Sequence, residues 1–215
     1  FISRMPASVA SRAWWVIVPA AGSGRRMGAD QPKQYLPLLG RPVLAHTLER
    51  LARLPHLRGL LVGLSEGDAG WPSLQLSLPV MPETYIGGAE RAATVLNGLD
   101  RLAGRAGEDD WVFVHDAARP CVRPADVARL AEAGMKTADG ALLGLPVADT
   151  VKRADAAQRV LETVPRTHLW RALTPQCFPY GALRHALQRA LRDGVTVTDE
   201  ASAMEYVGAR PLMVE

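Results

Sequence analysis

The run Pro19-Ala20-Ala21-Gly22-Ser23-Gly24-Arg25-Arg26-Met27-Gly28, followed by Pro32-Lys33, sets glycines beside closely spaced cations. Glycines let a backbone curl until its N–H groups converge on phosphate oxygens. Arg25, Arg26 and Lys33 next to such donors suit a triphosphate, whose charge must be offset as pyrophosphate leaves. A P-loop would end in Gly-Lys-Ser/Thr, which this run lacks. A dinucleotide fingerprint would space its glycines G-x-G-x-x-G, whereas these fall at 22, 24 and 28. It would also place an acid at the end of a second strand, and Glu49 lies in a helical pattern instead. A surface turn with solvated arginines has the same composition, so the run alone leaves the choice open.

The most specific signal is Val114-His115-Asp116-Ala117-Ala118-Arg119-Pro120. Asp116 is expected to end a buried strand, at the sheet edge where open α/β folds bind ligands. A carboxylate there can hold Mg²⁺, an oxygen-seeking ion usually bound by one or two carboxylates plus phosphates. The plainer alternative is a turn-capping aspartate paired with Arg119. The apolar strand before Asp116 and its expected nearness to the glycine-rich turn favour the metal. His115 is read as making a structural hydrogen bond. Gly87-Gly88-Ala89-Glu90-Arg91-Ala92-Ala93-Thr94-Val95 opens a helix with small residues that allow close ligand approach. Solvated charges on an ordinary turn would look the same. Arg166 suits a phosphate fork, or a pair with Glu162. Thr198, before an Asp-Glu pair, reads as a helix N-cap.

These residues need an α/β frame. Trp14–Val18 reads as a strand buried on both faces and Trp111–Val114 as another buried strand, while Leu60–Leu64, Val80–Ile86 and Ala141–Val147 read as further strands. Between them lie helical patterns over Pro42–Leu54 and Ala89–Leu102, and a helix opening at Pro124. Such alternation predicts a Rossmann-like, mostly parallel sheet with helices on both faces. Residues 148–166 break the rhythm: two polar, β-prone runs flank a turn and predict a protruding β-hairpin arm. An isolated hairpin is marginal in water, so a second subunit is its natural support. An irregular stretch through Thr174-Pro175-Gln176, helices over 180–193 and from Thr198, and a short strand at 211–214 complete the chain. Residues 14–215 are expected to form one domain, with 1–13 a leader outside it.

The bulk properties exclude several classes. A hydrophobic fraction of 48% and a charged fraction of 22% are ordinary for a globular protein. Apolar runs such as Gly59–Leu64 are far shorter than the roughly 20 residues of a membrane span. A net charge of +3 is too small and scattered to indicate nucleic acid. Cys121 and Cys177 fit neither a disulfide framework nor a zinc spacing, so a reducing cytoplasm is expected.

Taken together, the Ala-Ala-Gly-x-Gly-x-Arg-Met run, Pro-Lys-Gln-Tyr-Leu and His-Asp-Ala-Ala-Arg-Pro resemble the sugar-nucleotide nucleotidyltransferases. Among them the chain is most similar to the 2-C-methyl-D-erythritol 4-phosphate cytidylyltransferase family of the non-mevalonate isoprenoid route, over Trp14–Glu215. The resemblance implies cytidylyl transfer from CTP to that polyol phosphate, with Mg²⁺ and with other divalent cations left open. It implies that Pro19, Ala20, Ala21, Gly22, Gly24, Gly88, Ala89, Arg91, Thr94 and Ala117 hold CTP. Arg26 and Lys33 would serve the α-phosphate and leaving group, and Asp116 the metal. Thr150, Arg166, Thr174, Thr198 and Arg119 would hold the acceptor, Arg166 reaching a neighbouring subunit from the dimerising arm. Thr94 stands where a serine is usual and keeps the hydroxyl. Ala89 stands where an acid is sometimes found, and Pro165 where aspartate is more usual. The family carries a further lysine just beyond Pro-x-x-Val-Glu, where this sequence stops at Glu215; a chain ending there is expected to be impaired. A ribitol 5-phosphate cytidylyltransferase, an NAD-binding oxidoreductase and a non-catalytic nucleotide-binding protein are the competing readings.

Overall fold

The computed structural model describes residues 12–22 and 32–215. Strand β1 (Trp14–Pro19) lies at the centre because every side chain from Trp14 to Val18 is apolar and buried, whichever face it points to. It is flanked by β4 (Leu57–Leu64) and β6 (Trp111–Val114), both parallel to it. The short pair β2 (Pro37–Leu38) and β3 (Arg41–Pro42) forms a separate ladder. Strands β5 (Glu83–Ile86), β7 (Ala141–Pro146), β10 (Trp170–Pro179) and β11 (Leu212–Val214) complete a seven-stranded sheet in the order β11-β7-β10-β6-β1-β4-β5.

Alternate residues of β1 feed two cores. Trp14, Val16 and Val18 face the layer of α1 (Val43–Leu51) and α3 (Pro124–Gly134), through Leu44, Leu48, Leu51, Val127 and Leu130. Trp15 and Ile17 face α2 (Arg91–Arg101), α4 (Tyr180–Arg192) and α5 (Glu200–Tyr206). Burial of one large apolar side chain such as Phe113 is worth about 1.5–3 kcal/mol, so these strands dominate the stability. Among the described residues no helix is long and apolar enough to cross a membrane.

Two expectations need correction. The stretch around Thr174-Pro175-Gln176 is not irregular. It lies within the ten-residue strand β10, antiparallel to both β6 and β7. The register shifts between Ala172 and Gln176, and the Thr174–Pro175 peptide is cis, so proline sits at the interruption rather than in a regular ladder. The N-cap of α5 is Asp199 rather than Thr198. Its side chain accepts from the Ser202 amide, and the Ser202 hydroxyl accepts from the Asp199 amide.

The predicted arm is present: β8 (Val151–Ala154) and β9 (Val160–Val164) pair only with each other, and Val160 and Leu161 are more than 60% exposed.

Candidate active site

The chain leaves β1 for β4 on one side and returns to β6 on the other, so the strand order reverses beside β1. In an open α/β sheet a crevice forms at the carboxyl ends of strands around such a reversal. Here a cleft of about 700 Å³ lies between the segments that follow β1, β5 and β6. Pro19, Ala20, Ala21, Gly22, Lys33, Gly88, Ala89, Arg91, Thr94, Asp116, Ala117, Arg119, Thr174 and Thr198, all singled out from the sequence, line it. Gly24 and Arg26 lie outside the described residues. Thr150 and Arg166 are exposed on the arm side and do not line this cleft. A second cavity of about 640 Å³, beyond the outer strand β5, contains none of these residues.

Side chains from outside the ligand-facing runs hold the walls. Gln34 is buried, and its amide donates to the Ala20 carbonyl at 2.8 Å, which ties the 3-10 turn Lys33–Tyr35 to the end of β1. Gly87 lets the β5–α2 loop come close: a Cβ there would stand 2.5 Å from the Ala21 Cβ. The Gly88 amide donates to the Thr94 hydroxyl oxygen at 3.0 Å, while that hydroxyl donates to the Glu90 carbonyl at 3.1 Å. Thr94 therefore acts here by shaping the loop. Glu49 stands in α1 and pairs with Arg41 at 2.6 Å, far from the role of a ribose-binding acid.

Asp116 lies two residues beyond β6, its side chain about 30% exposed on the cleft floor. Arg119 Nε donates to one carboxylate oxygen at 2.8 Å and Arg91 Nε to the other at 3.2 Å. Burial alone would raise this carboxyl, but the two guanidiniums hold it below the usual carboxylate range. The Asp116 amide donates to the Thr174 hydroxyl at 3.3 Å, joining the β6 loop to β10. His115 is buried, and its Nε2 meets the Arg119 carbonyl at 2.9 Å, as the structural reading expects. Burial pushes its pKa down, which favours the neutral ring.

The donor set fits a divalent cation that arrives with phosphates. Each Asp116 oxygen is held by one arginine, Oδ1 by Arg91 and Oδ2 by Arg119, and a carboxylate has about four lone-pair sites to offer in all. Among the described residues no group of three or more His, Cys, Asp or Glu could enclose a metal, so a single carboxylate plus phosphate oxygens is the arrangement on offer.

Two residues of this site, Glu200 and Gln176, were given no role by the sequence reading. Glu200 is fully buried and grips Arg91 with both oxygens, at 2.6 and 3.1 Å. Burial pushes its carboxyl up, against the pull of Arg91. Gln176 donates to Asp199 at 2.8 Å and accepts from the Ala201 amide at 2.8 Å. The signal for Glu200 was its place among Ala201, Ala203 and Met204 on the buried face of α5. A charge among apolar neighbours requires a buried partner.

The model of the family IspD, 2-C-methyl-D-erythritol 4-phosphate cytidylyltransferase, matches residues 14–215. The chain belongs to that family. It is 49% identical over 201 residues to the Hahella chejuensis protein named 2-C-methyl-D-erythritol 4-phosphate cytidylyltransferase, covering 94% of this chain and 83% of that one. A Pseudomonas aeruginosa protein of the same name is 50% identical over 204 residues, covering 94% and 87%. Among solved structures, a 4-diphosphocytidyl-2C-methyl-D-erythritol synthase matches with TM-score 0.81 and 37% identity, over 95% of this chain and 90% of that one. The Francisella tularensis IspD structure matches with TM-score 0.80 and 34% identity, over 94% and 89%. The Rossmann-like sheet and added hairpin are thus those of an IspD chain.

Proposed function

We propose that this IspD-family chain transfers the cytidylyl group of CTP to 2-C-methyl-D-erythritol 4-phosphate and releases pyrophosphate, a step of isoprenoid precursor synthesis. The observation that carries this reading is the cleft at the carboxyl ends of β1, β5 and β6. There Lys33, Arg91, Asp116 and Arg119 face the small-residue turns 19–22 and 88–89 in a chain of that family.

A phosphate oxygen of the acceptor attacks the α-phosphorus of CTP, and the bond to the β-phosphate breaks with its electron pair leaving on pyrophosphate. The protein's part is to position both reactants and to spread positive charge over the crowded phosphates. Lys33, together with Arg26, is assigned to the α-phosphate and the leaving group. The turns Ala20–Gly22 and Gly88–Ala89 are assigned to the nucleotide, with the Ala20 and Gly88 amides already engaged by the Gly63 carbonyl and the Thr94 hydroxyl. Arg119, Thr174 and Thr198 are assigned to the acceptor phosphate and its hydroxyls. Thr150 and Arg166 are assigned to the acceptor in the cleft of a second copy. Arg166 is free of Glu162, which pairs with Arg153 at 2.5 Å, and it donates instead to the Ala148 carbonyl at the base of the arm. Dimerisation through the arm follows from the same reasoning, since among the described residues the arm strands pair only with each other.

Asp116 would hold Mg²⁺ against the phosphates, which supplies charge neutralisation and fixes their geometry. The chain is proposed to act in the cytoplasm as one domain spanning 14–215.

The test is pyrophosphate release from CTP and Mg²⁺, with 2-C-methyl-D-erythritol 4-phosphate and ribitol 5-phosphate supplied in parallel. Release with the first acceptor alone is expected; release with ribitol 5-phosphate alone would overturn the substrate. Lys33→Ala should lower kcat by about 10²–10³-fold with an unchanged circular dichroism spectrum. Full turnover by that variant removes Lys33 from the mechanism.

A further inference from the structure

Arg91 stands at the first turn of α2 and divides its guanidinium between two carboxylates from different elements. Its two terminal nitrogens form a fork on Glu200, at 2.6 and 3.1 Å. Its Nε and one of those terminal nitrogens also approach Asp116, both at 3.2 Å and both on the single oxygen Oδ1. The Glu200 side chain is wholly buried, whereas those of Arg91 and Asp116 are about 30% exposed. Glu200 does not line the cleft.

The surroundings fix Glu200 closely. The Gln176 side chain, from β10, bonds to Asp199 on one side of it and to the Ala201 amide on the other. The Asp199–Ser202 capping box locks the same turn. A fork is the strongest way for an arginine to hold a carboxylate. If Glu200 did not take that fork, the guanidinium would have one carboxylate left within reach, and a partly buried cation does not remain unpaired. It would turn its fork onto both oxygens of Asp116.

We infer that Glu200 is a positioning residue: by occupying the fork of Arg91 it confines that arginine to one oxygen of Asp116, and so leaves the carboxylate open to the divalent cation. The inference rests on the proposed role of Asp116 in holding that cation. Glu200 itself touches neither substrate nor metal. Its effect is on how much cation is needed, not on the chemistry once the cation is bound.

The experiment measures CTP affinity calorimetrically, without acceptor, across a series of Mg²⁺ concentrations, alongside the Mg²⁺ dependence of turnover. Wild type, Glu200→Asp, Glu200→Gln and Asp116→Asn are compared. The Mg²⁺ concentration giving half of the gain in CTP affinity should rise from wild type through Glu200→Asp to Glu200→Gln, by about tenfold at the end of the series. At saturating Mg²⁺ the kcat of Glu200→Gln should return to within about threefold of wild type, because the carboxylate is contested rather than lost. A uniform fall in CTP affinity at every Mg²⁺ concentration is what a merely structural role produces, and it overturns the inference. Where Glu200→Gln does not fold, Glu200→Asp decides alone, and a wild-type Mg²⁺ requirement in that variant overturns it. Asp116→Asn separates the two layers. If it keeps the wild-type Mg²⁺ dependence, the metal role of Asp116 fails first and takes the inference with it. If it abolishes that dependence while the Glu200 variants behave as wild type, only the inference fails.

Discussion

The Gln34 amide reaches the Ala20 carbonyl across 2.8 Å, so the turn that carries Lys33 is fastened to the end of the central strand by one buried side chain. Gln34→Leu keeps the bulk and removes the donor. Leaving a buried carbonyl without its partner costs about 1–3 kcal/mol. The loosened turn should also raise the KM for CTP by about tenfold, a 1.4 kcal/mol effect. Urea unfolding and a CTP titration read the two effects separately; a variant that loses stability but keeps its KM would show that the tie supports the fold without placing Lys33.

Thr94 should act through Gly88 rather than by touching the nucleotide, because its hydroxyl is engaged by the Gly88 amide and the Glu90 carbonyl. Thr94→Val is expected to weaken CTP binding by several-fold, the worth of about 1 kcal/mol for one hydrogen bond. Thr94→Ser keeps the hydroxyl and should bind as wild type. Loss in Thr94→Ser but not in Thr94→Val would point to the methyl group, and thus to packing.

If Arg166 serves the cleft of a second copy, two inactive proteins should complement each other. In a symmetric dimer, mixing Asp116→Asn with Arg166→Ala leaves each mixed pair one intact site, so a refolded equimolar mixture should recover about a quarter of wild-type activity. No recovery, in a mixture shown by mass to contain mixed dimers, would place Arg166 in its own subunit's chemistry or outside the reaction.

Asp126, in the first turn of α3, gives a pH signature remote from the cleft. A hydrogen bond from Arg123 and the charges of Arg123 and Arg129 hold its carboxyl below the ordinary value. A lowered folded-state pKa stabilises the protein above the unfolded value of about 3.9, and that stability is lost as pH falls through the folded value. Asp126→Asn should therefore cost about 0.2–1 kcal/mol at neutral pH and progressively less below pH 4. Chemical unfolding at both ends of that range measures it, and a constant difference would show that charge is not the cause.

Most of the frame was legible in the sequence because its signals are local. Trp14–Val18 and Trp111–Val114 could only be buried strands, and Pro124 opened its helix as expected. The runs at 19–22, 87–95 and 114–119 met in one cleft because the ends of parallel strands share one edge of a sheet. What was not legible depends on pairing across the chain. Nothing in Thr174-Pro175-Gln176 announces a strand, since its proline suppresses the local signal while β6 and β7 supply the ladders. Glu200 meets Arg91 109 residues away, a distance over which spacing carries no information. Asp199 is a local miss instead: its cap is completed by Ser202 three residues on, and the threonine just before it was read in its place.

The antiparallel strand β10 has one more consequence. It begins at Trp170, close after the arm, passes Thr174, and runs through the buried residues Pro175–Phe178 before ending at Pro179. A second copy gripping the hairpin, as proposed above, would hold the outer end of a strand whose inner half is anchored in the core and whose middle forms part of the cleft wall. Assembly and cleft shape would then be mechanically in series, with the interruption of the ladder beside Asp116 as the point that yields first.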